Sequence, residues 1–293
     1  MTEGLDFTAE DIELMLANLD AFSPEEALEI DRMVDELNTR TANASAYDDL
    51  IEFCKLMQPD YIVGKHHRIL ADMLMAIERG EKDRICVNIP PRHGKSQLVS
   101  IFYPAWFLGR NPDKKVMMVS HTTDLAVDFG RKVRNLIALD DYRSIFPTVK
   151  LAQDSKSAGR WNTNVGGEYY ACGIGSALAG RGADLLLIDD PHSEQDVING
   201  NFEVFDKAYE WFTFGARTRL MPGGRVAIIQ TRWHLDDLTG RVTRDMAQND
   251  RSDQYDVIEF PAIIEVKNKK SKKITEKPLW PEFFDLEALL RTK

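Results

Sequence analysis

The chain has 293 residues, 43% hydrophobic and 29% charged, the composition of a soluble globular protein with ample material for a large α/β core. No apolar run reaches the ~18–20 residues of a membrane span, the acidic N-terminus lacks a signal-peptide layout, and Cys54, Cys86 and Cys172 fit neither a disulfide nor a metal pattern, which points to a reducing cytoplasm. The net charge of −10 is uneven: residues 1–52 hold 15 of the 47 acidic groups and two basic ones, so the rest is mildly basic and a local DNA track is not excluded.

In chain order, residues 9–58 read as helices. Ser23-Pro24-Glu25-Glu26 supplies a cap, a first-turn proline and acids, and Ala27, Ile30, Val34 and Leu37 recur at helical spacing. This defines an acidic helical appendage over 1–58, either a solvated bundle edge or a binding arm. From about residue 60 strands alternate with helices: strands at 84–89, 115–120, 184–189, 225–231 and 255–260, helices at 66–78, 95–108, 124–138, 201–219 and 235–246. Pro104 is expected to kink or interrupt its helix. Such alternation predicts an α/β fold, a mainly parallel central sheet flanked by helices, with ligands at the carboxyl ends of the strands. The core is assigned to 59–262. Residues 263–293 read as a basic loop and linker, in which the lysine-rich stretch 265–277 is a solvated turn or a DNA-backbone contact. There is no internal repeat.

Two motifs carry the chemistry. The run RICVNIPPRHGKS (84–96) is a short strand, a tight turn and a helix start, the layout of a phosphate-binding P-loop. The turn Pro91-Arg92-His93-Gly94-Lys95-Ser96, with Gln97 after it, would cradle the phosphates of ATP. Lys95 would span the β- and γ-phosphates and Ser96 would reach Mg²⁺. Ile89 stands where the usual pattern has its first glycine. The second motif, Leu185-Leu186-Leu187-Ile188-Asp189-Asp190, ends an apolar strand in two carboxylates. Beside a P-loop this reads as a Walker B pair, with Asp189 holding Mg²⁺ and Asp190 orienting or deprotonating the attacking water; alone, the pair could cap a turn. Aspartate is one methylene shorter than the more usual glutamate, so either the backbone approaches more closely or Glu194 shares the work.

Five segments in unbroken order, KHHRIL, VNIPPRHGKS, SALAGRGADLLLIDDP, TRWHLDDLTGR and LWPEFF, give residues 60–293 a strong similarity to the large subunit of tailed-bacteriophage terminases. The first 55 residues contribute little to it. The resemblance implies an additional-strand (RecA-like) P-loop ATPase that moves double-stranded DNA into a procapsid. The implied partners are the portal protein, a terminase small subunit and copies of itself in a ring, pentameric by expectation, in the host cytoplasm and without a membrane. It also implies an RNase H-like nuclease domain beyond residue 293. By the same resemblance Thr231 falls at the coupling motif, Arg92 could reach the γ-phosphate in cis, and Arg181 resembles an arginine finger given by a neighbouring subunit, with Arg217 or Arg219 as alternatives. His66, His67 and Arg68 sit where the family packs the adenine; as a plain reading they start a surface helix. Ser120-His121-Thr122 is either a DNA-backbone contact or an ordinary loop. A helicase or restriction-type translocase would need a second RecA-like domain, for which the residues after 240 are too few. A non-hydrolysing scaffold would not need Lys95, Ser96, Asp189 and Asp190 together.

Overall fold

Alternate residues of the central strands go to opposite sides of one sheet, which explains why the strands read as continuous apolar runs. The computed structural model describes residues 22–153, 157–267 and 274–291, together with Met15. Its main sheet contains β1 (Arg84–Asn88), β2 (Lys115–Ser120), β3 (Arg160–Asn162), β4 (Glu168–Gly173), β5 (Ala183–Asp189), β6 (Leu220–Gln230) and β7 (Asp256–Glu259). The spatial order is β3-β4-β2-β5-β6-β1-β7, parallel throughout except for the antiparallel edge strand β3. The strand bearing the P-loop (β1) and the strand bearing the carboxylate pair (β5) are thus separated by β6, the arrangement that the term additional-strand denotes.

One side of the sheet (Ile85, Val87, Val116, Met118, Leu185, Leu187, Ala227, Ile229) packs under helices α1 to α6. These are α1 (Pro24–Asp48), α2 (Leu50–Met57), α3 (Lys65–Arg79), α4 (Tyr103–Arg110), α5 (Thr123–Ile137) and α6 (Asp140–Ile145). The other side (Cys86, Met117, Val119, Leu186, Ile188, Val226, Ile228) meets Phe212 and Ala216, and Leu238 and Val242. On that side α7 (Glu194–Ile198) and α8 (Glu203–Glu210) follow β5, and α9 (Leu238–Gln248) follows β6. The three cysteines are buried and unpaired, and no helix among the described residues is long and apolar enough to cross a membrane.

Several expectations are corrected. The start of α1 is as read: Ser23 and Glu26 form a reciprocal capping box. The appendage expected over 1–58, however, is not separate to its end, because Ala46, Leu50, Ile51, Phe53 and Cys54 are fully enclosed in the main core; residues 9–14 and 16–21 lie outside the described residues. The 95–108 helix is present, and the interruption expected at Pro104 takes the form of a π-helical turn over Gln97–Phe102 that runs directly into α4 at Tyr103, because Pro104 has no N–H to continue the α-helical ladder. The 201–219 helix likewise changes to a π-helical turn at Trp211–Ala216 and a 3₁₀ turn at Arg217–Arg219. The lysine-rich stretch is not a loop over its whole length. Its ends form an antiparallel hairpin of β8 (Ile263–Lys267) and β9 (Ile274–Pro278), with 268–273 outside the described residues. A last helix, α10, covers Leu286–Arg291.

Candidate nucleotide site

The P-loop turn is wound by two left-handed residues, Arg92 (φ 61°) and Gly94 (φ 77°), between prolines that preset the backbone and a helical turn that begins at Lys95. Gly94 has a second reason to be glycine: a Cβ there would collide with His67 Nε2. The His93 carbonyl accepts hydrogen bonds from both His66 Nε2 and His67 Nε2, at 3.0 Å each. The Gly64 N–H donates to His67 Nδ1 at 3.0 Å, which makes Nε2 the protonated nitrogen of that ring. Burial, with the neighbouring His66 charge, pushes the His67 pKa down to about 3, and burial also lowers His66 and His93. Trp280 lies edge-on to His67 at 4.7 Å between ring centres, and Phe284 packs on His93 at 4.9 Å.

This corrects the expectation for the histidine pair. His66 and His67 are enclosed behind the P-loop and spend their donors on its backbone, so they are neither a surface helix start nor free to pack a base. Arg68 instead pairs with Asp49. The groove that does open on the helix start, about 650 Å³, runs from Ser96 and Gln97 between Met57, Gln58, Ile101 and Phe129. In it the Gln97 amide donates to Gln58 Oε1 at 2.7 Å.

At the carboxyl end of β5, Asp189 is buried. It accepts a hydrogen bond from Ser100 Oγ at 2.7 Å on Oδ2, whereas its Oδ1 is enclosed without a partner. Burial and then the neighbouring Asp190 charge raise its pKa to about 6, against the pull of Lys95. Asp190 turns out of the strand at φ 44°. Its N–H donates to the Ile229 carbonyl at 2.9 Å and its own carbonyl accepts from His121 N–H at 3.1 Å. Its side chain joins three elements: Oδ2 lies 2.7 Å from Lys95 Nζ, and Oδ1 accepts from the Thr231 N–H at 2.7 Å. Thr231 Oγ1 in turn reaches the Ile89 carbonyl at 3.3 Å. Glu194 is exposed on the first turn of α7, and Arg92 is exposed with its side chain toward solvent.

The other arginines lie elsewhere. Arg181 precedes β5, bonded to Glu168 at 3.2 Å and with its guanidinium 4.6 Å above the Tyr170 ring. The strand from Ala183 to Asp189 puts it about 20 Å from its own carboxylate pair, so a cis role is closed to it. Arg217 is held by both oxygens of Asp253, and Arg219 also lies at the amino end of β6. In Ser120-His121-Thr122, Ser120 is fully enclosed, His121 is half-buried, and Thr122 is exposed and caps α5.

TRWHLDDLTGR folds into a knot that fixes the chain after Thr231. Arg232 donates to buried Asp237 at 2.7 Å, Asp237 caps α9 through the Gly240 N–H at 2.9 Å, and His234 stacks parallel on Phe205 at 5.1 Å. Reading the sequence missed Ser100 and Gln58, whose roles depend on partners far along the chain.

Residues 86–199 match the family described as terminase large subunit, T4likevirus-type, N-terminal. Comparison with curated proteins finds no match. Among solved structures the fold is similar to the large terminase of the HK97 bacteriophage, with TM-score 0.45 and 13% identity over 72% of this chain and 41% of that one. It is also similar to a mutant of the large terminase ATPase domain of Thermus phage P74-26, with TM-score 0.40 and 17% identity over 64% of this chain and 80% of that one. A third is the large terminase of the thermophilic bacteriophage D6E in complex with ATP-gamma-S, with TM-score 0.36 and 12% identity over 64% of this chain and 43% of that one. The chain therefore spans less than half of the HK97 and D6E proteins. The matched stretch, residues 86–199, holds both the P-loop turn and the carboxylate pair, so the part of the chain that carries the candidate site is the part that is similar to the terminase large subunit, T4likevirus-type, N-terminal family.

Proposed function

We propose that this chain is an ATP-hydrolysing motor that drives double-stranded DNA into a procapsid. The observation that carries the reading is the junction at Asp190, where the P-loop lysine, the second carboxylate and the backbone of the coupling residue Thr231 meet through two bonds of 2.7 Å. ATP would draw Lys95 from Asp190 onto its phosphates. Asp190, freed on that side, would accept the proton of the attacking water, and its remaining bond to Thr231 would carry the change into β6 and the knot beyond it. Arg92 stands on the turn where it would meet the γ-phosphate in cis, and Glu194 is the reserve carboxylate. The base would lie in the Gln58–Gln97 groove.

The residues present fit magnesium: the partnerless, enclosed Asp189 Oδ1 and the Ser96 hydroxyl form a set of hard oxygens beside the P-loop. When bound, Mg²⁺ would neutralise phosphate charge, with Ser96 and Asp189 holding it. DNA would be gripped through its backbone, so that any sequence can be moved, and a ring of copies on the portal, with a small subunit, would let Arg181 act in trans. The host cytoplasm is the proposed location.

The test is phosphate release with and without double-stranded DNA, for wild type, Lys95→Ala, Asp190→Asn and Glu194→Gln. Lys95→Ala should abolish hydrolysis and leave cooperative unfolding intact, and Asp190→Asn should slow it by at least ~100-fold. Normal turnover in Asp190→Asn with loss in Glu194→Gln would move the base to Glu194. A wild type that binds ATP without releasing phosphate, alone or with DNA, would refute the motor.

A further inference from the structure

Ser100 has no part in the scheme above, yet it makes one of the most enclosed polar contacts in the molecule. It is fully buried, and its Oγ donates to Asp189 Oδ2 at 2.7 Å. A serine inside a helix ordinarily turns its hydroxyl back to the carbonyl one turn earlier. Here the π-helical turn Gln97–Phe102, closed by the Tyr103 N–H donating to the Leu98 carbonyl, directs that hydroxyl at a carboxylate on another element. We infer that Ser100 is a positioning residue that sets the orientation of the metal-side carboxylate, Asp189. This rests on the reading of Asp189 as the magnesium-side acid.

The terminal torsion of an aspartate is broad, so its two oxygens exchange places unless something distinguishes them. Ser100 occupies Oδ2. Oδ1 is buried and has no partner, and one residue beyond the last paired positions, Val119 and Ile188, β2 ends at Ser120, whose Oγ is also buried without a partner. The carboxylate is thus held on one oxygen and open on the other, the arrangement a metal-bound water needs.

Groups that orient a metal-side ligand typically contribute ~10–100-fold to metal affinity. The experiment is binding of a fluorescent ATP analogue, titrated with Mg²⁺ and repeated in EDTA, for wild type, Ser100→Ala, the volume-matched Ser100→Cys, and Asp189→Asn, with thermal melts of each. In Ser100→Ala the Mg²⁺ concentration for half-maximal tightening should rise at least ~10-fold, while affinity in EDTA stays within ~2-fold of wild type. Ser100→Cys should move in the same direction by less. A wild-type Mg²⁺ response in both serine variants, or an equal loss with and without Mg²⁺, overturns the inference. If Asp189→Asn keeps the wild-type Mg²⁺ response, the magnesium reading itself fails. If Asp189→Asn loses it while both serine variants keep it, only the role of Ser100 falls.

Discussion

Replacing Asp190 with Asn separates binding from hydrolysis in a way the geometry makes quantitative. Asn is isosteric and its oxygen still accepts the Thr231 N–H, so the bond to the coupling residue survives. What is lost is the charge 2.7 Å from Lys95 Nζ, in a pair whose side chains are only 8% and 26% exposed. A hydrogen bond between charged groups in such a setting is worth about 1.5–3 kcal/mol, and the open side of Asp190 argues for the lower end. Empty Asp190→Asn should therefore melt lower, by about 2–4 °C per kcal/mol lost. ATP no longer has to pull Lys95 from a partner, so the same energy returns as affinity: about 1.4 kcal/mol is a tenfold lower Kd. Hydrolysis should meanwhile fall at least ~100-fold. Fluorescent-nucleotide titration, differential scanning calorimetry and phosphate release measure the three quantities. A variant that melts lower but binds ATP no more tightly than wild type would show that Asp190 does not compete with the phosphates for Lys95, and the reasoning would fail.

Gly94→Ala should lose ATP binding and melt lower, since left-handed strain of ~1–2 kcal/mol adds to the displaced His67–His93 bond, worth ~1 kcal/mol; an unchanged melting curve would contradict it. His67 (about 3), His66, His93 and buried His192 (about 4), whose Nε2 accepts from the Leu238 N–H at the start of α9, all have folded pKa values below the ordinary 6.5, chiefly through burial, so the folded chain binds fewer protons than the unfolded one. Their stabilisation is present above pH ~6.5 and is lost as pH falls toward 4, which melts across that range will follow. Asp189 is shifted the other way, up to about 6, so Asp189→Asn should stabilise the empty protein above pH 6 and cease to do so near pH 4; an equal gain at both ends would refute the burial argument. Arg181→Ala and Lys95→Ala chains, each inactive alone, should recover part of the activity when mixed, because an external arginine is worth ~10³–10⁵ in rate in comparable enzymes. No recovery from chains that demonstrably assemble would remove Arg181 from the site.

What could be read from the sequence is local. A strand, a turn and a helix start within 13 residues announce a P-loop, and four aliphatic residues before two acids announce the partner strand. β3, three residues long, has no pattern of its own and exists because it pairs with β4. β8 and β9 hide their alternation among lysines and glutamates, and only their mutual pairing makes them strands. The histidine pair was recognisable as important, but its target is a backbone carbonyl 26 and 27 residues away. Pro104 was legible as an interruption. That the interruption would widen the preceding turn and aim Ser100 at Asp189 was not, because the acceptor lies 89 residues further on.

Trp280 and Phe284 bear on the two histidines and on His93, so the segment after β9 touches the P-loop ring against ring, without a strand between them. The Trp280 indole N–H is enclosed and makes no hydrogen bond, leaving the contact purely a matter of shape. Shape contacts of this kind resist compression far more than tension or sliding. Displacement of the segment toward the sheet would press on the phosphate turn, whereas displacement away would simply unload it. The segment after β9 is therefore coupled to the phosphate turn by ring packing, with the Trp280 indole at the contact.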